Sequence, residues 1–202
     1  MKMLLPKKFD AAVFDFDGTL VETLDLHYRA YREVFRGRGF DLASEVFYRA
    51  LGGKASETIP LMAGTPLDEG TVREIHQAKK AAVARLFAQE PIPLLATSFL
   101  IPLLRDRVPL ALVSSGSRPG IEQLLARIGW LDCFTVVITG EDVARGKPHP
   151  EPYLLAAKRL VLEPACCLVF EDSDAGIDSA QAAGMAVMDV RRSMNKPMGE
   201  CS

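Results

Sequence analysis

From residue 110 onward, short apolar runs alternate with stretches whose apolar residues recur at helical spacing. The runs 110–113, 136–139, 168–170 and 186–190 read as strands. After the first of them Ile121, Leu124, Leu125 and Ile128 share one helical face, and Gly129 offers a stop. After the second, a helix begins near Pro150 with Tyr153, Ala157 and Leu160 on one side. After the third, a helix over 174–183 ends at Gly184. The apolar run Ala11-Ala12-Val13-Phe14 is an earlier strand of the same kind. Uniformly apolar strands alternating with helices predict right-handed crossovers and an α/β fold, a parallel sheet covered on both faces.

Residues between the first two strands break this rhythm. Leu26, Ala30 and Val34 at spacing four predict a helix over 26–38, and Val72, Ile75, Ala82 and Leu86 predict a longer one over 67–88. Shorter helices are expected at 43–49 and 57–62, parted by Gly52-Gly53. No strand is evident there. The economical architecture is a helical module, residues 21–96, inserted into a sheet domain made from residues 1–20 and 97–202.

Composition narrows the class without naming a function. With 49% apolar and 25% charged residues in a chain of 202, the balance is that of a globular protein and excludes a disordered or collagen-like one. A net charge of −2 gives no electrostatic reason to expect nucleic acid or an anionic membrane as partner. No stretch approaches the roughly 18 apolar residues of a membrane span. The lysine-bearing N-terminus lacks the apolar core of a secretory signal. Cys133, Cys166, Cys167 and Cys201 show no metal-ligand spacing and read as reduced thiols. A soluble, cytoplasmic monomer is expected.

Chemistry gathers at the strand ends. Asp15-Phe16-Asp17-Gly18-Thr19-Leu20 follows directly on the first strand, Ser114-Ser115-Gly116 on the second, and Glu171-Asp172-Ser173 on the strand at 168–170, while Gly146-Lys147-Pro148 lies in a loop after another. Any one of these has a plain structural reading: Asp-Gly is a common turn, and a loop lysine is usually solvated. In an open parallel sheet, however, the carboxyl ends of the strands are where ligands bind, so the four clusters point at one place. Converging carboxylates repel one another unless a cation offsets them, and hard oxygen ligands without histidine or cysteine favour magnesium over zinc. Ser114, Ser115 and Gly116 precede a helix whose first N–H groups suit a phosphate, and Lys147 adds a fixed positive charge. Together these groups describe phosphoryl transfer to an aspartate.

In order along the chain, DFDGTL, the serine of LVSSGSR, the lysine of GKPHPEPY and FEDSDAGI resemble the four motifs of the haloacid-dehalogenase-like phosphatases. The helical insertion is similar to the cap of the beta-phosphoglucomutase-like branch, including His27 early in its first helix. The resemblance implies a Rossmann-like parallel-sheet core with an inserted helical cap. It implies that Asp15 is the nucleophile, that Asp17 is the acid/base with its backbone carbonyl in the metal shell, and that Asp172 and Glu171, directly or through water, complete magnesium binding. Ser114 and Lys147 would hold the transferring phosphate.

The cap loops are expected to choose the leaving group of a small phosphorylated metabolite. Leu51-Gly52-Gly53-Lys54-Ala55-Ser56-Glu57 is the candidate specificity loop, with Gly53 allowing close approach and Lys54 reaching an oxygen-rich group. Where mutases of this branch carry an arginine, the ungapped match is Ser56, which favours hydrolysis over a phosphosugar mutase. A phosphoreceiver or a non-catalytic binding protein is the reading from a different class. His76 and His149 are expected in structural roles, the first at the surface or core edge and the second in a loop. The Lys147–Pro148 peptide bond is expected to be cis, since the lysine must turn back toward the phosphate.

Overall fold

A computed structural model describes residues 9–50 and 55–193. Five parallel strands, β1 (Ala11–Phe14), β2 (Leu110–Val113), β3 (Val136–Ile138), β4 (Cys167–Glu171) and β5 (Ala186–Asp189), form one sheet in the order β3-β2-β1-β4-β5. β1 is central, pairing with β2 on one side and β4 on the other. β1 and β2 are buried along their whole length, as their unbroken apolar sequences require.

Alternation of side chains sends the strand residues to two apolar layers. Ala12, Phe14, Leu110, Leu112 and Phe170 face one layer, where Phe14 and Phe170 stack with ring centroids 4.7 Å apart. That layer takes Ile121, Leu124 and Leu125 from helix α6 (Arg118–Arg127). Ala11, Val13, Ala111, Val113, Val169 and Ile138 face the other, covered by α7 (Glu151–Leu160) and α8 (Asp174–Ala182).

The first four helices after β1 are α1 (Leu24–Arg36), α2 (Ser44–Arg49), α3 (Ala55–Ala63) and α4 (Glu69–Gln89). They share an apolar cluster of their own, with Phe35, Phe47, Ile59 and Ile75 at its centre. Two adjacent segments tie this cap to the sheet. Val21 bridges antiparallel to Leu94, Glu22 N donates to Pro93 O at 2.9 Å, and Leu95 N donates to Leu20 O at 3.0 Å. The fold is thus the expected Rossmann-like core with an inserted helical cap.

Two local differences from the sequence reading have clear causes. A 3₁₀ turn (Ala96–Phe99) running into α5 (Leu100–Leu104) was not anticipated, because this short apolar stretch carries a proline and no helical period. The last strand stops at Asp189, before Val190. There Asp189 Oδ1 accepts from Arg191 N at 3.1 Å and turns the chain into α9 (Val190–Ser193). Among the described residues no helix is long and apolar enough to cross a membrane.

Candidate active site

Asp15 is the first residue beyond β1, and its backbone N–H donates to Phe170 O at 3.0 Å, which ties it to the end of β4. The chain then turns tightly: Leu20 N donates to Phe16 O and Gly18 N to Val21 O, with Gly18 at φ +83°. This turn sends the two carboxylates of the motif to different surroundings, which alternation along an extended strand would not do.

Lys147 is the hub of the buried charges. Its Nζ lies 2.6 Å from Asp15 Oδ1 and 2.6 Å from Glu171 Oε1, and also donates to the carbonyl of Val113 at 3.2 Å. The cis Lys147–Pro148 bond expected from the sequence is present. Glu171 is fully buried and heavily used: Tyr153 OH donates to Oε1 at 3.2 Å, while Ser173 N and Oγ donate to Oε2 at 2.7 and 3.0 Å. A β-carbon on Gly176, in the first turn of α8, would lie 1.7 Å from Oε1, so this glutamate fits only because that residue has none.

Three carboxylates, those of Asp15, Glu171 and Asp172, bring oxygens within 4.8 Å of one another, and the first two are paired with this one ammonium. Burial, with Glu171 and Asp172 adding repulsion, raises the Asp15 pKa although Lys147 opposes it. Burial and then Glu171 push Asp172 up to about 6. Glu171 moves the other way: burial opposes ionisation, but Lys147 and the Ser173 donors outweigh it. Lys147 is raised because its carboxylate neighbours overcome the effect of burial. The surplus of negative charge and the purely oxygen donor set fit a divalent cation.

Asp17 stands apart from that cluster. Thr23 Oγ1 donates to its Oδ1, and His27 Nε2 lies 3.5 Å from the same oxygen. Burial works against ionisation, yet these two contacts, with the more distant Lys79, hold its pKa below the ordinary value. Its carboxylate is therefore not gathered with the other three. His27, carried over from the cap resemblance, does face this site.

Ser114 is buried at the end of β2, with its N–H donating to Ile138 O, and its Oγ accepts from Gly116 N at 3.0 Å. Gly140 N donates to Gly116 O at 3.0 Å and holds this loop against the one after β3. Asp142 fastens the second loop. It accepts from Thr139 N and Oγ1 and from Arg118 and Arg159, at 2.6 to 3.0 Å.

All these elements open on one cleft of about 460 Å³, lined by Asp15, Asp17, Ser114, Ser115, Gly116, Lys147 and Asp172 on the sheet side. The cap side contributes His27 and Tyr31 from α1, Thr58 and Met62 from α3, and His76 and Lys79 from α4. Gly53 and Lys54, the expected specificity residues, lie outside the described residues. His149 keeps its loop role, its Nδ1 accepting from Glu151 N at 3.1 Å.

Sequence reading missed Thr23, Thr19, Tyr153 and Lys79, and placed His76 at the surface or core edge. Thr19 Oγ1 donates to Asp172 Oδ1 at 2.9 Å. Lys79 had a visible signal: it interrupts the stripe Ile75, Ala82, Leu86 on the inward face of α4. Its Nζ lies 5.1 Å from the Tyr31 ring, and burial pushes its pKa down to about 8.

The model of the haloacid dehalogenase-like hydrolases matches residues 12–190. The chain belongs to that family. Fructose-1-phosphate phosphatase YqaB of Escherichia coli K12 is 34% identical over 193 residues, covering 92% of this chain and 98% of its own. A mutant of CbbY from Rhodobacter sphaeroides, in complex with xylulose-(1,5)bisphosphate, superposes with a TM-score of 0.80 at 30% identity over 89% of this chain and 84% of its own. A beta-phosphoglucomutase from Clostridium difficile gives 0.78 at 25% identity over 90% and 84%. Within the hydrolase family the chain falls in the branch of sugar phosphatases and beta-phosphoglucomutases, and it is an enzyme of the phosphoric monoester hydrolase class.

Proposed function

We propose that this hydrolase is a magnesium-dependent phosphatase of small phosphomonoesters, sugar phosphates above all, working through an aspartyl phosphate. The observation that carries the reading is the position of Asp15: at the end of the central strand, 2.6 Å from Lys147 and within the three-carboxylate cluster, on the floor of a cleft that Ser114 and Gly116 also line.

Asp15 attacks phosphorus with its carboxylate while the ester oxygen leaves with a proton from Asp17. Water then attacks the aspartyl phosphate and gives its proton to Asp17, restoring both residues. Thr23 and His27 favour the ionised form of Asp17, which suits the second half; in the first half Asp17 must carry its proton, so its contacts with them must loosen. Lys147, the Ser114 hydroxyl and the N–H groups at 115–116 hold the phosphoryl oxygens. Asp15, Asp172 and the backbone carbonyl of Asp17 are the groups that would hold magnesium. Glu171, both of whose oxygens are already in use, would act on the ion through water rather than directly. The ion, when bound, would neutralise charge on the transferring phosphoryl group and on these carboxylates. Residues 21–96 act as the cap that closes the cleft over residues 1–20 and 97–202.

Support for sugar phosphates comes from the relatives named above and from the cleft's size, suited to a small metabolite. The test is phosphate release from a panel of sugar phosphates, nucleotides and phosphoglycolate, with magnesium and with chelator. Product analysis separates hydrolysis from isomerisation. Release that needs no metal, or no release from any phosphomonoester, overturns the reading.

A further inference from the structure

The cap wall of the cleft contains a polar side chain at the edge of its helix's apolar face. α4 turns Val72, Ile75, Ala82 and Leu86 inward, all buried. His76 follows Ile75 directly, is half-buried, and lines the cleft beside Tyr31, Thr58 and Met62. Its Nδ1 is shielded from water and has no hydrogen-bond partner. That atom is closed to the cleft as well as to water, so the half-buried ring meets the cleft through its other atoms, and those are what a ligand group can reach.

The ring's surroundings decide what kind of ligand group that is. Burial, followed by the like charges of Lys80 and Lys79, lowers the His76 pKa, so the imidazole is neutral at pH 7. A neutral imidazole has one nitrogen that donates and one that accepts, as a hydroxyl does; it has no charge to hold a second phosphate. Phe47, Met62 and Ala50 on the same wall offer apolar surface to a carbon skeleton. We infer that His76 determines specificity by hydrogen-bonding a hydroxyl of an uncharged, polyhydroxylated leaving group. The inference rests on the phosphatase reading above and deepens it.

The test measures kcat and KM for the best sugar phosphate of the panel, for its deoxy analogues, and for para-nitrophenyl phosphate, whose leaving group has no hydroxyl to contact. Wild type should discriminate against one deoxy analogue by roughly 10-fold or more. His76→Leu should erase that discrimination, raise KM for the parent sugar phosphate by a similar factor, and change para-nitrophenyl phosphate turnover less than about two-fold. His76→Asn, which keeps a donor and an acceptor, should restore part of the loss. Three results overturn the role of His76 while leaving the phosphatase reading intact: no discrimination by wild type among the deoxy analogues, equal losses on both substrates, or no loss on either. Failure of wild type on every phosphomonoester, para-nitrophenyl phosphate included, overturns both.

Discussion

Gly18 and Asp172 are in such close approach that a β-carbon on Gly18 would fall 2.2 Å from Asp172 Oδ2. The same glycine has φ +83°, a conformation that L side chains rarely adopt. Two independent constraints, one steric and one conformational, therefore meet at the turn that follows the two aspartates of the first motif.

Gly18→Ala should lower stability by about 2–3 kcal/mol, since it strains the backbone and pushes on the half-buried Asp172 carboxylate. For a chain of this size that is roughly 4–12 °C in Tm. Thermal unfolding checks the number. Activity at a temperature where the variant is still folded should fall further than the unfolded fraction explains, because Asp172 is displaced.

Asp15→Asn should abolish turnover while leaving the fold intact, the amide being a poor nucleophile of nearly the same shape. Asp17→Asn should retain binding and lose a factor on the order of 10² to 10⁴ in rate. Steady-state kinetics on para-nitrophenyl phosphate compares both with wild type, and a normal rate for either would remove that residue from its role.

Magnesium should raise the Tm of wild type, because a cation relieves repulsion among Asp15, Glu171 and Asp172. Asp172→Ala should weaken this response and move the magnesium dependence of activity to higher concentration. Titrations followed by unfolding temperature and by rate give two readouts of one binding event. An unchanged curve in both would show that Asp172 holds no metal.

Asp142 provides a pH-dependent test away from the reacting atoms. Although burial opposes it, hydrogen bonds from Thr139, Arg159 and Arg118 lower its pKa from the ordinary 3.8 to about 2. A depressed folded-state pKa means that the stabilisation is complete above about 4 and is lost as pH falls toward 2. Asp142→Asn should cost roughly 1–2 kcal/mol of this charge-dependent stability at pH 7, and the gap from wild type should narrow at pH 3. Urea unfolding at the two pH values measures it.

The pattern of the chain was enough to place β1, β2, β4 and the helices α1, α4, α6, α7 and α8, because each has a face or a length of unbroken apolar residues that only one local structure can bury. Ends were less certain. At Asp189 a side chain to backbone hydrogen bond overrides the apolar run, and at 96–104 proline obscures the helical turns. The four motifs were legible for a related reason: parallel strands deliver their carboxyl ends to one edge, so residues far apart in sequence had to converge.

What the sequence by itself determined was the sheet, the inserted helices and the set of groups at that edge. Only the tertiary structure decided how the groups are shared. It assigned one lysine to both Asp15 and Glu171, filled both oxygens of Glu171 through Tyr153 and Ser173, and separated Asp17 by giving it Thr23 and His27. It also turned His76 and Lys79 toward the cleft, the first from the edge of the apolar stripe of its helix and the second from within it. The physical reason is that local periodicity records which side of an element is buried. Which partner lies across the gap depends on how the cap, a separately packed cluster on two adjoining segments, sits over the strand ends.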